Sequence, residues 1–204
     1  MLAEAEAAGA KRYLLGGDYA AADPNARPVL ARLRELPNAT WIRGNGERWL
    51  REPPEDIPQI APTTRLMAEQ LGDEVGALYE LPTQVELDGV LYVHGSPLSD
   101  VESFGAEPGD GDERMLDGVR DRTVVFGHSH LQFRRPGPNG TELLNPGSVG
   151  MPLDGDRRAA WALRGSGFEL RRTEYDVERA AAAFRAMATP AAEFFARRVE
   201  RGSD

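Results

Sequence analysis

The stretch Phe126-Gly127-His128-Ser129-His130 follows Arg122-Thr123-Val124-Val125, a β-branched apolar run that reads as a buried strand ending in a glycine turn. The sequence holds three histidines, and two of them stand here, one residue apart. The third, His94, ends a second apolar strand, Val90-Leu91-Tyr92-Val93, directly before Gly95. A neutral imidazole is the commonest side-chain metal ligand, and it works best on a rigid element that fixes its tautomer. Spending the whole histidine supply at strand ends beside glycine is the pattern of a metal site.

Working outward, two further segments share the pattern of a short apolar strand, a glycine and a metal-capable residue. Tyr13-Leu14-Leu15-Gly16-Gly17 runs into Asp18, and Thr40-Trp41-Ile42-Arg43-Gly44 runs into Asn45, followed by Gly46-Glu47. Ligands in open α/β sheets gather at strand carboxyl ends, where glycine lets the backbone turn sharply. Asp18, Asn45, His94, His128 and His130 form an all-nitrogen-and-oxygen set. With no cysteine in the chain, thiolate sites are excluded, and the donors suit manganese, iron, nickel or zinc.

The rest of the chain alternates strands with helices early and turns to hairpins later. A helix is expected over 2–8, closed by Gly9, and another over 27–36. Residues 52–62 carry four prolines and read as a surface loop. Thr63 or Thr64 is expected to cap a helix to about Leu71, and Asp73 to start another to about Leu81. Asp88-Gly89 between apolar alternations marks a hairpin. Residues 96–113 read as a long, mobile, acidic loop, followed by a short helix over Met115–Val119. Two more hairpins, around 135–140 and Gly165-Ser166-Gly167, precede a helix capped by Asp176 and a last one opened by Pro190. The whole reads as one α/β domain of 204 residues with mixed sheets, too rich in hairpins for a purely parallel doubly wound sheet.

Bulk properties narrow the function. The net charge of −9 argues against a large nucleic-acid footprint, because a phosphate backbone needs a basic face. No apolar run approaches the ~20 residues of a membrane helix, and Met1-Leu2-Ala3-Glu4-Ala5-Glu6 lacks the regions of a signal peptide, so a cytoplasmic protein is expected. Arg43, Arg48, Arg134 and Arg135 lie near the candidate ligands in sequence and are candidates to meet an anion.

The order Gly-Asp, Gly-Asn-x-Glu, His-Gly, Gly-His-x-His resembles the calcineurin-like metallophosphoesterase superfamily. The turn Asn145-Pro146-Gly147-Ser148 is similar to its small bacterial phosphodiesterase branch. The resemblance spans about Lys11 to Tyr175. It implies a four-layer αββα sandwich of two mixed β-sheets flanked by helices, with a dinuclear divalent-metal site on one edge. It implies that Asp18 bridges both ions, that Asn45, His94 and His128 complete one shell, and that His130 serves the other. Asn45 and His94 would stand at the reacting centre, where a metal-bound hydroxide attacks a small phosphate ester, phosphodiester or phosphomonoester. The acidic 96–113 segment would repel a long polyanion.

Two departures shape the expectation. The family begins with an Asp-x-His motif one helix before Gly-Asp, and no histidine here precedes His94. The helix over 2–8 also lacks a start signal. The domain is therefore expected to be N-terminally truncated, lacking its first strand, with the second metal left to Asp18 and His130. Many relatives also carry a proton-donating histidine after Gly-Asn, where Gly46 stands here, and Glu47 matches an acidic position that orients its neighbours. The competing reading is a noncatalytic protein-interaction module built on the same fold. Oligomerisation is compatible with either.

Overall fold

The run Val90–Val93 is buried at all four positions, as a strand covered on both faces must be. The computed structural model describes every residue except 21 and 188. Its elements are α1 (Leu2–Ala7), β1 (Tyr13–Leu15), α2 (Ala26–Arg34), β2 (Ala39–Trp41), α3 (Asn45–Arg51), α4 (Ala61–Leu71), α5 (Glu74–Tyr79), β3 (Gln84–Leu87) and β4 (Val90–Val93). They continue with α6 (Asp112–Met115), β5 (Thr123–Val125), β6 (Gln132–Pro136), β7 (Glu142–Pro146), β8 (Ala159–Arg164), β9 (Phe168–Thr173), α7 (Val177–Arg185) and α8 (Ala192–Arg201).

A mixed five-stranded sheet of order β3-β4-β5-β7-β6 forms the centre. Strands β4, β5 and β7 run parallel, and β3 and β6 close the edges antiparallel. Register places Leu91 beside Val124 and Val124 beside Leu143, with Tyr92, Val125 and Leu144 in the next row. Successive side chains of a strand point to opposite faces, so these two rows feed two cores. Leu91, Val124 and Leu143 pack with Phe104, Met115 and Leu116 on the outer face, under α6. Tyr92, Val125 and Leu144 pack inward against Leu14, Ala162, Phe168 and Leu170.

Those inner partners belong to the second β layer, which comes in two pieces: the parallel pair β1–β2 and the hairpin β8–β9. Outside it lie the helices. Leu30, Leu50, Met67, Leu71 and Leu78 from α2 to α5 form one cluster, and Val177, Phe184, Phe195 and Val199 from α7 and α8 form another. The architecture is thus helix, sheet, sheet, helix, an α/β sandwich.

Several local expectations need correction. The proline-bearing 52–62 segment ends at Ile60, because α4 begins at Ala61, and α3, Asn45–Arg51, fills a stretch to which the sequence assigned no element. Thr63 and Thr64 do not cap α4 but lie buried inside it; Ile60 is its N-cap, and Pro62 sits in the first turn, where its missing N–H costs nothing. The short helix before β5 lies at Asp112–Met115, with two acidic residues in its first turn, and not at Met115–Val119. The 96–113 segment is tethered to the sheet: Phe104 is buried, and Arg135 donates to Asp112 at 2.7 Å and to the Gly105 carbonyl at 2.9 Å. Strand β9 stops at Thr173, short of Tyr175.

Candidate metal centre

Parallel pairing decides which residues meet. Strands β4 and β5 are neighbours, so the residues following their carboxyl ends stand side by side, and the His94 and His128 ring centroids are 5.4 Å apart. The Gly127 N–H donates to the His94 carbonyl at 2.7 Å and continues the pairing past the strands. Strands β1 and β2 are likewise parallel neighbours, which brings Gly17-Asp18 against Gly44-Asn45. The approach is close enough that a Cβ on Gly17 would stand 2.6 Å from both the Gly44 nitrogen and His94 Nδ1. A Cβ on Gly44 would strike the Asp18 carboxylate and come within 2.8 Å of His94 Cε1.

Four of the five candidates converge. His94 Nε2 is 2.9 Å from Asn45 Oδ1 and 3.2 Å from Asp18 Oδ2. His128 Nδ1 is 2.8 Å from the same Asn45 oxygen. One ligand atom each from Asp18, His94 and His128 falls within 4.8 Å of the others. His130 stands outside this group. Its Nδ1 donates to the Met151 carbonyl at 2.7 Å, which leaves Nε2 as the free nitrogen.

The tautomers follow from the fixed partners. His94 Nδ1–H donates to the Gly16 carbonyl at 2.7 Å, so Nε2 carries the lone pair of the neutral ring and aims it at two oxygens. Lone pairs facing one another are relieved by a cation between them, either a proton or a metal. With only a proton available, burial opposes the charge but the Asp18 carboxylate outweighs it and raises His94 to about 9. Burial acts to raise Asp18, yet the His94 charge and hydrogen bond and the Gly46 N–H, 2.7 Å from Oδ1, hold it well below the usual carboxylate range. Burial, with the neighbouring His94 charge, lowers His128, and burial lowers His130 against the pull of Asp18. Both rings are therefore kept neutral, the form that ligates a metal. An N/O donor set with fixed tautomers fits a divalent cation such as manganese, iron, nickel or zinc.

Three of the candidates share an uncommon backbone geometry, which Asn38, Asp88, Asp121 and Asn139 also adopt elsewhere. Asp18, His128 and His130 have φ of 61°, 58° and 59°, the left-handed region that side chains other than glycine rarely adopt. Strain of this kind, of order 1–3 kcal/mol per residue, persists only where the surroundings impose it, and it collects at functional sites.

The surroundings are specific. Glu47 is fully buried and accepts the backbone N–H groups of Asp18 (2.8 Å), Tyr19 (2.6 Å) and Gly44 (2.9 Å), tying both glycine turns together. Burial and then the Asp18 charge push its carboxyl up to about 7, against the pull of those three donors. The Tyr19 hydroxyl accepts from Gly17 N and lies 2.6 Å from the Leu15 carbonyl and 2.7 Å from that of Ile42. Asn145 Nδ2 donates to the Gly127 carbonyl and to Ser129 Oγ, so the end of β7 holds the turn after β5. The orienting role expected of Glu47 accords with these contacts. Nothing in the sequence marks Tyr19, and Asn145 shows only as part of a turn.

The arginines divide differently from the expectation. Arg48 forms a two-point pair with Asp100 at 2.7 and 2.8 Å and borders a cleft with His128. The other three serve the scaffold: Arg43 donates to the Tyr79 carbonyl and stacks on its ring, Arg134 pairs with Glu142, and Arg135 is buried against Asp112. No helix among the described residues is long and apolar enough to cross a membrane.

Comparison with known proteins bears on the fold and the family. Among solved structures, the chain is similar to a metallophosphoesterase from Sphaerobacter thermophilus, with 21% identity, a TM-score of 0.79, and 98% of this chain and 93% of that one covered. It is also similar to a hypothetical protein from Pyrococcus horikoshii OT3, with 19% identity, a TM-score of 0.83, and 100% and 90% covered. No curated protein matches the chain. The sequence profile of the calcineurin-like phosphoesterase superfamily domain matches residues 1–164, and the chain belongs to that superfamily.

Proposed function

We propose that this chain is a metal-dependent phosphoesterase acting on a small phosphate ester, with Asp18, Asn45, His94, His128 and His130 as its metal ligands. The observation that carries the reading is the convergence of His94 Nε2, Asp18 Oδ2 and Asn45 Oδ1 on one point, where only a shared proton or a metal cation can hold the three atoms together. A divalent cation held there supplies Lewis-acid polarisation of the phosphoryl group and activation of the attacking water. The protein's part is positioning. Glu47 fixes the Asp18 backbone, the Gly46 N–H fixes the Asp18 carboxylate, the Gly16 carbonyl fixes the His94 ring, and the Met151 carbonyl fixes the His130 ring. Asn45 turns its oxygen to the two imidazoles, so its NH2 is the end left to donate to a phosphoryl oxygen. Asp18 and His130 are the residues of this chain that would hold a second cation. The net charge of −9 favours a small ester over nucleic acid and accords with a cytoplasmic enzyme.

Hydrolysis of a generic aryl phosphodiester tests this, with manganese, iron(II), nickel or zinc added to metal-stripped protein. Turnover that needs the metal, and that is lost in His128→Ala and Asp18→Asn, is expected. Metal-loaded protein that is folded yet turns over neither a phosphodiester nor a phosphomonoester contradicts it and returns the reading to a noncatalytic interaction module.

A further inference from the structure

Next to His128 opens a cleft of about 710 Å³, walled by Arg48 and Trp49 of α3, by the 52–57 segment and by Val101. That volume lies within the range of small-molecule sites, roughly 300–1,000 Å³. Two properties stand out. Its apolar surface is supplied by half-buried Trp49 and Ile57 and by Val101, 43% exposed although large apolar side chains are usually covered. Its charge is negative: Glu52, Glu55 and Asp56 line it, while the lining Arg48 is committed to Asp100 by both hydrogen bonds of its fork. Glu52 accepts the Tyr79 hydroxyl and Glu55 pairs with Arg65, whereas Asp56 is exposed and forms no ion pair among the described residues. An aromatic platform with an acidic rim does not suit a second phosphate or a polyanionic chain.

We propose that this cleft is the subsite for the organic group of the ester, and that it selects a flat uncharged ring and rejects an anionic one. The inference rests on the phosphoesterase reading and adds the substrate class. Trp49 supplies a face for the ring and Val101 an apolar wall. Asp56, with Glu52 and Glu55, repels negative charge carried on that ring. The Arg48–Asp100 pair joins α3 to the loop after His94 and holds the two walls at a fixed separation.

Phosphonates with a single organic group test this on manganese-loaded protein, by calorimetry and by competition against a generic phosphodiester. Phenylphosphonate is expected to bind at least ~10-fold more tightly than methylphosphonate, and 4-carboxyphenylphosphonate ~10-fold more weakly than phenylphosphonate, a size set by like charges a few ångströms apart in a solvated cleft. Trp49→Ala is expected to shrink the phenyl-to-methyl ratio to ~2-fold. Asp56→Lys, at an exposed position where folding is not at stake, is expected to restore binding of the carboxyphenyl compound. Equal affinities for the methyl and phenyl compounds, or an Asp56→Lys protein that still rejects the carboxylate, overturn the inference and leave the phosphoesterase reading in place. Absence of binding by every phosphonate overturns both.

Discussion

The Glu47 carboxylate accepts the backbone N–H of Asp18 at 2.8 Å across 29 residues of chain, so the residue that anchors the backbone of the candidate bridging ligand lies at the start of α3, just after the neighbouring strand β2. The same carboxylate takes the N–H groups of Tyr19 and Gly44. Glu47→Ala strands three donors in a buried site, and each unmet donor costs about 1–3 kcal/mol before relaxation and water entry. A net loss of about 2–4 kcal/mol is expected, read as a lowered urea midpoint. Metal affinity is expected to fall with it, because the Asp18 turn loses its anchor. Unchanged stability would show that the three hydrogen bonds are replaceable by water.

Gly44→Ala probes the close approach of the two glycine turns. Its backbone φ of −94° is open to any residue, so the cost is steric alone. The added methyl meets the Asp18 carboxylate and stands 2.8 Å from the Asp18 nitrogen and from His94 Cε1. Overpacking of this kind costs roughly 1–3 kcal/mol. Manganese affinity reduced by more than ~10-fold with the fold retained by circular dichroism is expected. A variant binding the metal as tightly as the parent would mean that the Asp18 turn can retreat freely.

Much of the site is legible in the sequence because four of the five candidate ligands, all but His130, sit beside a glycine at the end of an apolar strand, a local signal. Parallel neighbouring strands bring Asp18 to Asn45 and His94 to His128, and the packing of the two β layers joins the pairs. Helix α3 was hidden because Gly46 has poor helix propensity and prolines follow closely. The arginine assignments were hidden for another reason. Arg48 meets Asp100 from 52 positions away and Arg135 meets Asp112 from 23, partnerships set by tertiary packing and not by neighbours in the chain. Left-handed φ at His128 and His130 leaves no trace in composition, since an ordinary residue is forced there by the turn.

Away from the site, acid stability should track Asp156. Hydrogen bonds from the Arg158 side chain and backbone, with the Arg172 charge, lower its carboxyl from 3.8 to about 2. A carboxylate depressed on folding contributes stability that is complete above its unfolded value and is lost as pH falls through the folded one. Asp156→Asn is therefore expected to cost stability at pH 6 and to cost progressively less between about pH 4 and about pH 2. Urea midpoints of the two proteins across that window read the effect; a gap that stays constant with pH would assign the loss to geometry and not to charge.

The most direct measurement is anomalous diffraction from crystals soaked in manganese. One strong peak is expected within about 2.0–2.4 Å of Asp18, Asn45 Oδ1, His94 Nε2 and His128 Nδ1, ordinary lengths for oxygen and nitrogen ligands. A second peak is expected between Asp18 and His130. Peaks elsewhere on the molecule, with the His94 and Asp18 side chains still in direct contact, would contradict the account.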